Sequence, residues 1–146
     1  MKDKIQREIM IKATKERIYD AIANPEQVVL WFPETLEGSY KVGDRPILGF
    51  GEHGKNQIYI EDAKPHEYFA YRWVPGSNHF LGDVLTVANT LVEFRIEELK
   101  DNSCKLTLTE TGFATLPINL AEKCFTQNSG GWEFMLGRLG KYFEEV

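Results

Sequence analysis

Only two of the 146 residues are cysteines, Cys104 and Cys124, and only three are histidines. The cysteines form no C-x-x-C pair and have no histidine pair nearby, so they read as reduced thiols rather than a disulfide or a metal site. His53, His66 and His79 fall one per turn or loop, without the i, i+4 spacing of helical metal ligands, and no metal is expected. Basic clusters are lacking too. With 17 Lys and Arg against 22 Asp and Glu, the net charge is −5, and a chain with no basic face cannot neutralise phosphates, which excludes nucleic acid. No apolar run approaches the ~20 residues of a membrane-spanning helix, so no membrane span is expected. The charged N-terminus has neither an apolar region nor a small-residue cleavage site, which predicts a cytoplasmic protein. No internal repeat or low-complexity tract occurs.

What is present is globular in character: 42% hydrophobic and 27% charged residues. The length predicts one domain over residues 1–146, able to bury roughly two thirds of its unfolded surface without staples. Ile5, Arg7, Ile9 and Ile11 alternate with Gln6, Glu8, Met10 and Lys12, mostly the period of a half-buried strand. Thr14 can cap a helix through Ala23 whose inner face is Ile18, Ala21 and Ile22, and Asn24-Pro25 supplies a cap and first-turn proline for a second, short one that Pro33 ends. Strands with hairpin punctuation are then expected at Leu36–Lys41, Arg45–Phe50, Gln57–Glu61, Tyr68–Val74, Thr86–Leu99 and Lys105–Thr111. Phe113–Asn128 is ambiguous, since Leu116-Pro117 suggests a loop while Leu120, Ala121, Cys124 and Phe125 suit helical turns. At the C-terminus Trp132, Met135, Leu136, Leu139, Phe143 and Val146 form one apolar helical stripe that a sheet must cover. Gly130-Gly131 reads as a break or a late start. Gly137 and Gly140 each cost about 1 kcal/mol against Ala, which close approach of the helix backbone to the sheet would explain. The layout is α+β, a curved antiparallel sheet wrapped around a long C-terminal helix, with two short helices after the first strand.

Gly49-Phe-Gly-Glu-His-Gly54 matches G-x-G-x-x-G, but strand rather than helix follows it, so it reads as a glycine-rich hairpin and no cofactor is expected. Ser77 and His79 lack the G-x-S-x-G frame of a nucleophile elbow. The aromatic residues say more. Phe69, Tyr71 and Trp73 share one strand face, Val92, Phe94 and Ile96 share another, and Trp31, Phe32, Phe113 and Trp132 lie near element ends. Much of this is core, yet a sheet folded round one helix often leaves its concavity unfilled, and bulky rings at the rim leave room for a ligand. Glu110 is the sharpest single residue, because period two places it beside the inward Leu106 and Leu108. An inward carboxylate is costly without a partner. It is either a strand-end or structurally paired group, or a polar anchor or acid/base in a pocket. Unless a cation compensates, Glu110→Gln is expected to be neutral or stabilising.

The run Ala13–Ile22 after the first strand, Asn24-Pro-Glu26, Trp31-Phe-Pro33, Tyr71-Arg-Trp73, Val92-Glu-Phe94, Leu106-Thr-Leu108 and Gly131-Trp132 carry a resemblance over nearly the whole chain. Together they resemble the helix-grip (SRPBCC, START-like) superfamily, which includes START domains, aromatic polyketide cyclases and birch-pollen-type allergens. The nearest likeness is its bacterial AHSA-type branch, similar to the C-terminal domain of activators of heat-shock chaperone ATPase. Gly43-Asp44 stands where such proteins often show paired glycines. The resemblance implies a deep apolar cavity between sheet and last helix that holds a lipid-like or aromatic molecule. The expected partner is therefore a hydrophobic small molecule, bound by Trp31, Phe32, Phe50, Tyr71, Trp73, His79, Phe94, Glu110, Phe113, Trp132 and Met135. The alternatives are a cyclase, dehydratase or hydrolase with Glu110 and either His79 or Tyr71 as proton-transfer groups, and a chaperone-interaction module. The chain shows no N-terminal chaperone-binding domain, so a chaperone interaction is not expected.

Overall fold

A computed structural model describes residues 3–76 and 79–144. Strand β1 (Lys4–Ile11) leads into helices α1 (Lys15–Ala23) and α2 (Pro25–Val28), then β2 (Thr35–Glu37), β3 (Ile47–Gly49), β4 (Lys55–Gln57), β5 (Tyr59–Lys64), β6 (Tyr68–Trp73), β7 (Thr90–Glu98), β8 (Cys104–Thr111) and the long helix α3 (Ile118–Glu144). The caps are those the sequence offers: Thr14 Oγ1 accepts from the Arg17 amide at 3.3 Å, and Asn24 Oδ1 accepts from the Glu26 amide at 3.0 Å ahead of Pro25.

Two antiparallel sheets result, one ordered β1-β8-β7-β6-β5 and one ordered β2-β3-β4. A register shift between Ile60 and Asp62 bends β5 against β6. The inner face of the larger sheet carries Ile5, Phe69, Tyr71, Val92, Phe94, Leu106 and Leu108, all buried, and α1 closes one side with Ile18, Ala21 and Ile22. In register, Trp73 stands opposite Thr90, and Val92 opposite both Tyr71 and Glu110. Partners directly opposite share a face, so Tyr71, Trp73, Thr90, Val92 and Glu110 all point inward.

Helix α3 is longer than its stripe predicts. It runs 27 residues without a break through Gly130-Gly131, about 40 Å at 1.5 Å per residue. Ala121, Cys124, Trp132, Leu136 and Leu139 are its buried residues, while Met135 and Phe143 pack at the edge of the core; Val146 lies outside the described residues. Arg7 on β1 donates to Ser129, and Tyr142 donates to Gln27 of α2, tying both halves of the helix to the body. The close approach expected at Gly137 and Gly140 is not found. A Cβ added at either glycine would meet nothing within 4 Å.

The smaller sheet differs most from expectation. The stretches read as Leu36–Lys41 and Arg45–Phe50 shorten to three residues each, and Gln57–Glu61 is split at Ile58 between two strands. Gly49–Gly54 is a hairpin, with a 3₁₀ turn at Gly51–His53 and positive φ at Gly51 and Gly54. Both cysteines are buried free thiols. Among the described residues no helix is long and apolar enough to cross a membrane.

Candidate functional site

Where the end of β6 faces the middle of α3, the core opens into a cavity of about 240 Å³. Phe32 follows α2, Phe50 and His53 come from the β3–β4 hairpin, Asn56 from β4, Trp73 from β6, and Val74, Pro75 and Gly76 from the loop after it. Helix α3 contributes Gln127, Asn128, Gly131, Trp132 and Met135. Four of these, 128, 131, 132 and 135, follow the i, i+3, i+4, i+7 spacing of one helical face, so a single stripe forms the wall. The volume lies just below the roughly 300–1,000 Å³ usual for ligand pockets, which suits a ligand of two or three rings.

The aromatic walls are ordered by one another. Phe32, Trp73 and Trp132 form a three-ring cluster, Trp132 stacked on Phe32 (centroids 5.2 Å apart, planes at 29°) and on Trp73 (5.6 Å, 30°) with Phe32 and Trp73 6.0 Å apart, and Phe50 meets Phe32 edge-on at 5.4 Å. At the rim, Gly76 has φ +76°, and a Cβ there would lie 2.3 Å from Cys124 Sγ. Only glycine lets this loop lie on α3.

Beneath the two indoles lies Glu110, fully buried. Its Oε2 accepts from Trp73 Nε1 at 2.9 Å, Thr90 Oγ1 at 2.6 Å and Asn128 Nδ2 at 3.0 Å. Its Oε1 accepts from Trp132 Nε1 at 2.8 Å and from the same Asn128 nitrogen at 3.0 Å. One carboxylate thus joins β6, β7 and β8 to α3 through charge-assisted bonds. The sequence expectation that Glu110→Gln would be neutral or stabilising assumed an unsatisfied acid, whereas neutral donors here satisfy both oxygens, and the opposite outcome is predicted below.

Of the residues expected to bind a ligand, Phe32, Phe50, Trp73, Trp132 and Met135 line the cavity. Trp31, Tyr71, Phe94 and Glu110 form the layer behind it, and Phe113 is buried away from the lining, against Phe125. Trp31 is stacked on Phe32 at 5.4 Å and donates to the Ala21 carbonyl at 2.8 Å, Phe94 meets Trp132 edge-on at 6.0 Å, and Phe113 packs on Phe125 at 5.2 Å. The Tyr71 hydroxyl is buried without a partner, and its pKa is pushed well above 10 by burial first, then by the neighbouring Tyr40 and Glu110. His79 is exposed and outside the lining. Sequence reasoning missed His53, Asn56, Gln127, Asn128, Gly131 and the Val74-Pro75-Gly76 rim. Only the helical spacing of Asn128 and Gly131 to Trp132 could have signalled any of them.

An α+β chain whose antiparallel sheet curves round a long C-terminal helix and leaves an aromatic cavity between them is a helix-grip protein of the SRPBCC, START-like class. The family model for activator of Hsp90 ATPase homolog 1-like proteins matches residues 12–144, and the chain belongs to that family. No curated protein matches it. Among solved structures it is similar to DynU16, a protein of the dynemicin biosynthetic locus, with TM-score 0.78 and 21% identity over 99% of this chain and 48% of that one. This chain therefore spans about half the length of DynU16. A Mesorhizobium loti protein superposes with TM-score 0.78 at 14% identity, covering 98% of both chains. Aha1 from Colwellia psychrerythraea, solved as a dimer, superposes with TM-score 0.75 at 18% identity, covering 97% of this chain and 96% of that one. Similarity at these identities carries the fold. Family and fold together support ligand binding or cyclase-like chemistry in general terms.

Proposed function

We propose that this protein binds a small hydrophobic or amphipathic molecule, aromatic or lipid-like, in the cavity between β6 and α3. The observation that carries the reading is the stacked wall of Phe32, Trp132 and Trp73, held open to the cavity because both indole N–H groups are drawn back onto Glu110. A ring entering there exchanges water for aromatic faces and the Met135 thioether. The proton-transfer alternative has no comparable support. Both Glu110 oxygens are held by donors, Tyr71 is protonated deep in the core, and His79 stands outside the lining.

The test uses N-phenyl-1-naphthylamine, a neutral fluorophore of about 17 non-hydrogen atoms. At about 0.4 kcal/mol per atom its binding free energy would be about −7 kcal/mol, a Kd of ~10 µM. Saturable one-to-one binding in that range is expected. In Gly131→Leu the new side chain grows from the cavity-facing stripe where a Cβ has no neighbour within 4 Å, so the fold should persist and binding should fall at least about tenfold. Absence of saturable binding by the wild type, or full binding by a folded Gly131→Leu variant, would overturn the reading.

A further inference from the structure

Among the described residues, Asn56 is the one lining side chain that is only 9% exposed yet makes no hydrogen bond at either end of its amide. Its Oδ1 is enclosed by protein without a partner, whereas its Nδ2, also unbonded, is the accessible end and lies on the cavity lining. The backbone around it is fixed, since the Lys55 carbonyl accepts from the Phe80 amide at 2.9 Å and the Gln57 amide donates to the Phe80 carbonyl at 2.7 Å, while β3 pairs Asn56 with Leu48. A neighbouring amide shows how the fold ordinarily treats such groups. Gln57 donates from Nε2 to the Arg45 carbonyl at 3.1 Å and accepts the Gly82 amide at 2.9 Å. At Asn56 the orientation is the one its surroundings favour. An enclosed carbonyl oxygen without a donor is tolerated more readily than an enclosed NH₂ group with two unmet hydrogens, so the NH₂ end is the one turned to the cavity.

The other side-chain donors of the lining are engaged or wet. The indole N–H groups of Trp73 and Trp132 and the Asn128 amide nitrogen are all bound to Glu110, and His53 and Gln127 are exposed at the rim, where water competes for them. The Asn56 NH₂ group is therefore the side-chain donor that a molecule meets in the sheltered part of the cavity. A purely apolar molecule seated against it strips its water and returns no hydrogen bond, at the cost of an unmet donor. A molecule with an acceptor at that point keeps the bond, and keeps it where water no longer weakens it. A carbonyl oxygen meets the need most simply, because it accepts and brings no hydrogen that needs an acceptor in turn. We infer that the ligand is an aromatic carbonyl compound, a ketone, ester or amide, whose oxygen accepts from Asn56 Nδ2 while its ring lies against Phe32, Trp132 and Trp73. Asn56 is then the residue that sets the specificity of the cavity. This rests on the reading that the cavity binds a small molecule, and it adds the chemistry of the head group.

Equilibrium dialysis with three naphthalenes of matched shape separates the two. They are 1-acetylnaphthalene, 1-isopropenylnaphthalene, in which a CH₂ group replaces the carbonyl oxygen, and 1-(1-naphthyl)ethylamine, whose ammonium at neutral pH donates but cannot accept. Asn56→Leu, close in volume, removes the donor. The ketone is expected to weaken about tenfold relative to the alkene, the value of one buried hydrogen bond, while the alkene and the ammonium bind at least as well as they do to wild type. A variant that merely distorted the cavity would weaken all three alike. The side-chain amide signals of Asn56 in isotope-labelled wild-type protein give a second measurement, which covers the case in which the leucine variant fails to fold. The ketone should move the Nδ2 protons downfield, and the alkene should not. A loss shared equally by ketone and alkene, or an Asn56 amide that responds no more to the ketone than to the alkene, overturns the inference and leaves the binding function standing. If no probe binds, both fail.

Discussion

Replacing Glu110 by Gln changes one oxygen into an NH₂ group and nothing else in shape, so its effect can be worked from the donors around it. If the new nitrogen takes the Oε1 position it faces Trp132 Nε1 and Asn128 Nδ2, and if it takes the Oε2 position it faces Trp73 Nε1, Thr90 Oγ1 and Asn128 Nδ2. The threonine hydroxyl can rotate and accept. An indole cannot, so either orientation leaves one indole N–H against a donor in the core. An orphaned buried donor costs about 1–3 kcal/mol, and bonds that lose their charged partner weaken by about 1 kcal/mol. The expected loss is about 3 kcal/mol, or about 10 °C in Tm for a chain of this length. Urea denaturation followed by far-UV circular dichroism measures it. A second variant, Glu110→Gln with Trp132→Phe, removes the N–H that would be orphaned, and the pair should destabilise by less than the sum of the two single changes. A Glu110→Gln protein within about 0.5 kcal/mol of wild type, a change typical of neutral surface sites, would refute the claim that the surrounding donors demand a carboxylate.

Two further outcomes follow from the core and from the exposed side of α3. Gly137 lies on the exposed face, where an added Cβ would meet nothing within 4 Å, so Gly137→Ala should raise stability by about 1 kcal/mol in urea titration; a loss would mean that the glycine serves a close contact after all. Tyr71→Phe removes a buried hydroxyl with no partner and should be stabilising by up to about 1 kcal/mol. Its pH dependence is a sharper measure. Burial raises the pKa of both Tyr71 and Tyr40 above 10. Below pH 10 folded and unfolded chains both hold these protons and neither tyrosine matters. Above pH 10 the unfolded chain releases protons that the folded one keeps, so stability falls by about 1.4 kcal/mol per pH unit for each tyrosine. Tyr71→Phe should flatten the alkaline slope by that amount, and an unchanged slope would show that Tyr71 ionises in the folded protein.

Local signals made much of the frame legible. The Thr14 and Asn24 caps, the alternation in β1 and the period-two register that turns Glu110 inward are each set by neighbours a few residues away. The first half of α3 was hidden for a physical reason. Its apolar residues Ile118 and Leu120 are 94% and 46% exposed, so the usual stripe is out of phase there. Pro117, which reads as a breaker, instead stands just ahead of the helix, its carbonyl accepting from the Ala121 amide. Gly130-Gly131 stays helical because Trp132 and Asn128 on either side are anchored to Glu110, and tertiary anchoring outweighs about 2 kcal/mol of poor propensity. The site was legible only in part. Aromatic residues announce a wall, but a polar residue such as Asn56 in a short strand looks like surface until the parallel bridge to Phe80 places it under cover.

The donors around Glu110 explain why a polar group sits at the centre of an otherwise apolar seam. Leucine-like residues at this point would let α3 slide or rotate against the sheet with little penalty, since apolar packing tolerates many registers. Directional bonds from Trp73 and Trp132 to one carboxylate allow a single register, the one in which both indoles are stacked face to face and the helix stripe 128, 131, 132 and 135 borders the cavity. The same bonds hold the indole N–H groups of the cavity wall on Glu110. Anchoring of the helix and the setting of the cavity's aromatic wall are therefore two consequences of one carboxylate, which is why a substitution there must alter both together, whereas Gly131 can alter the cavity alone.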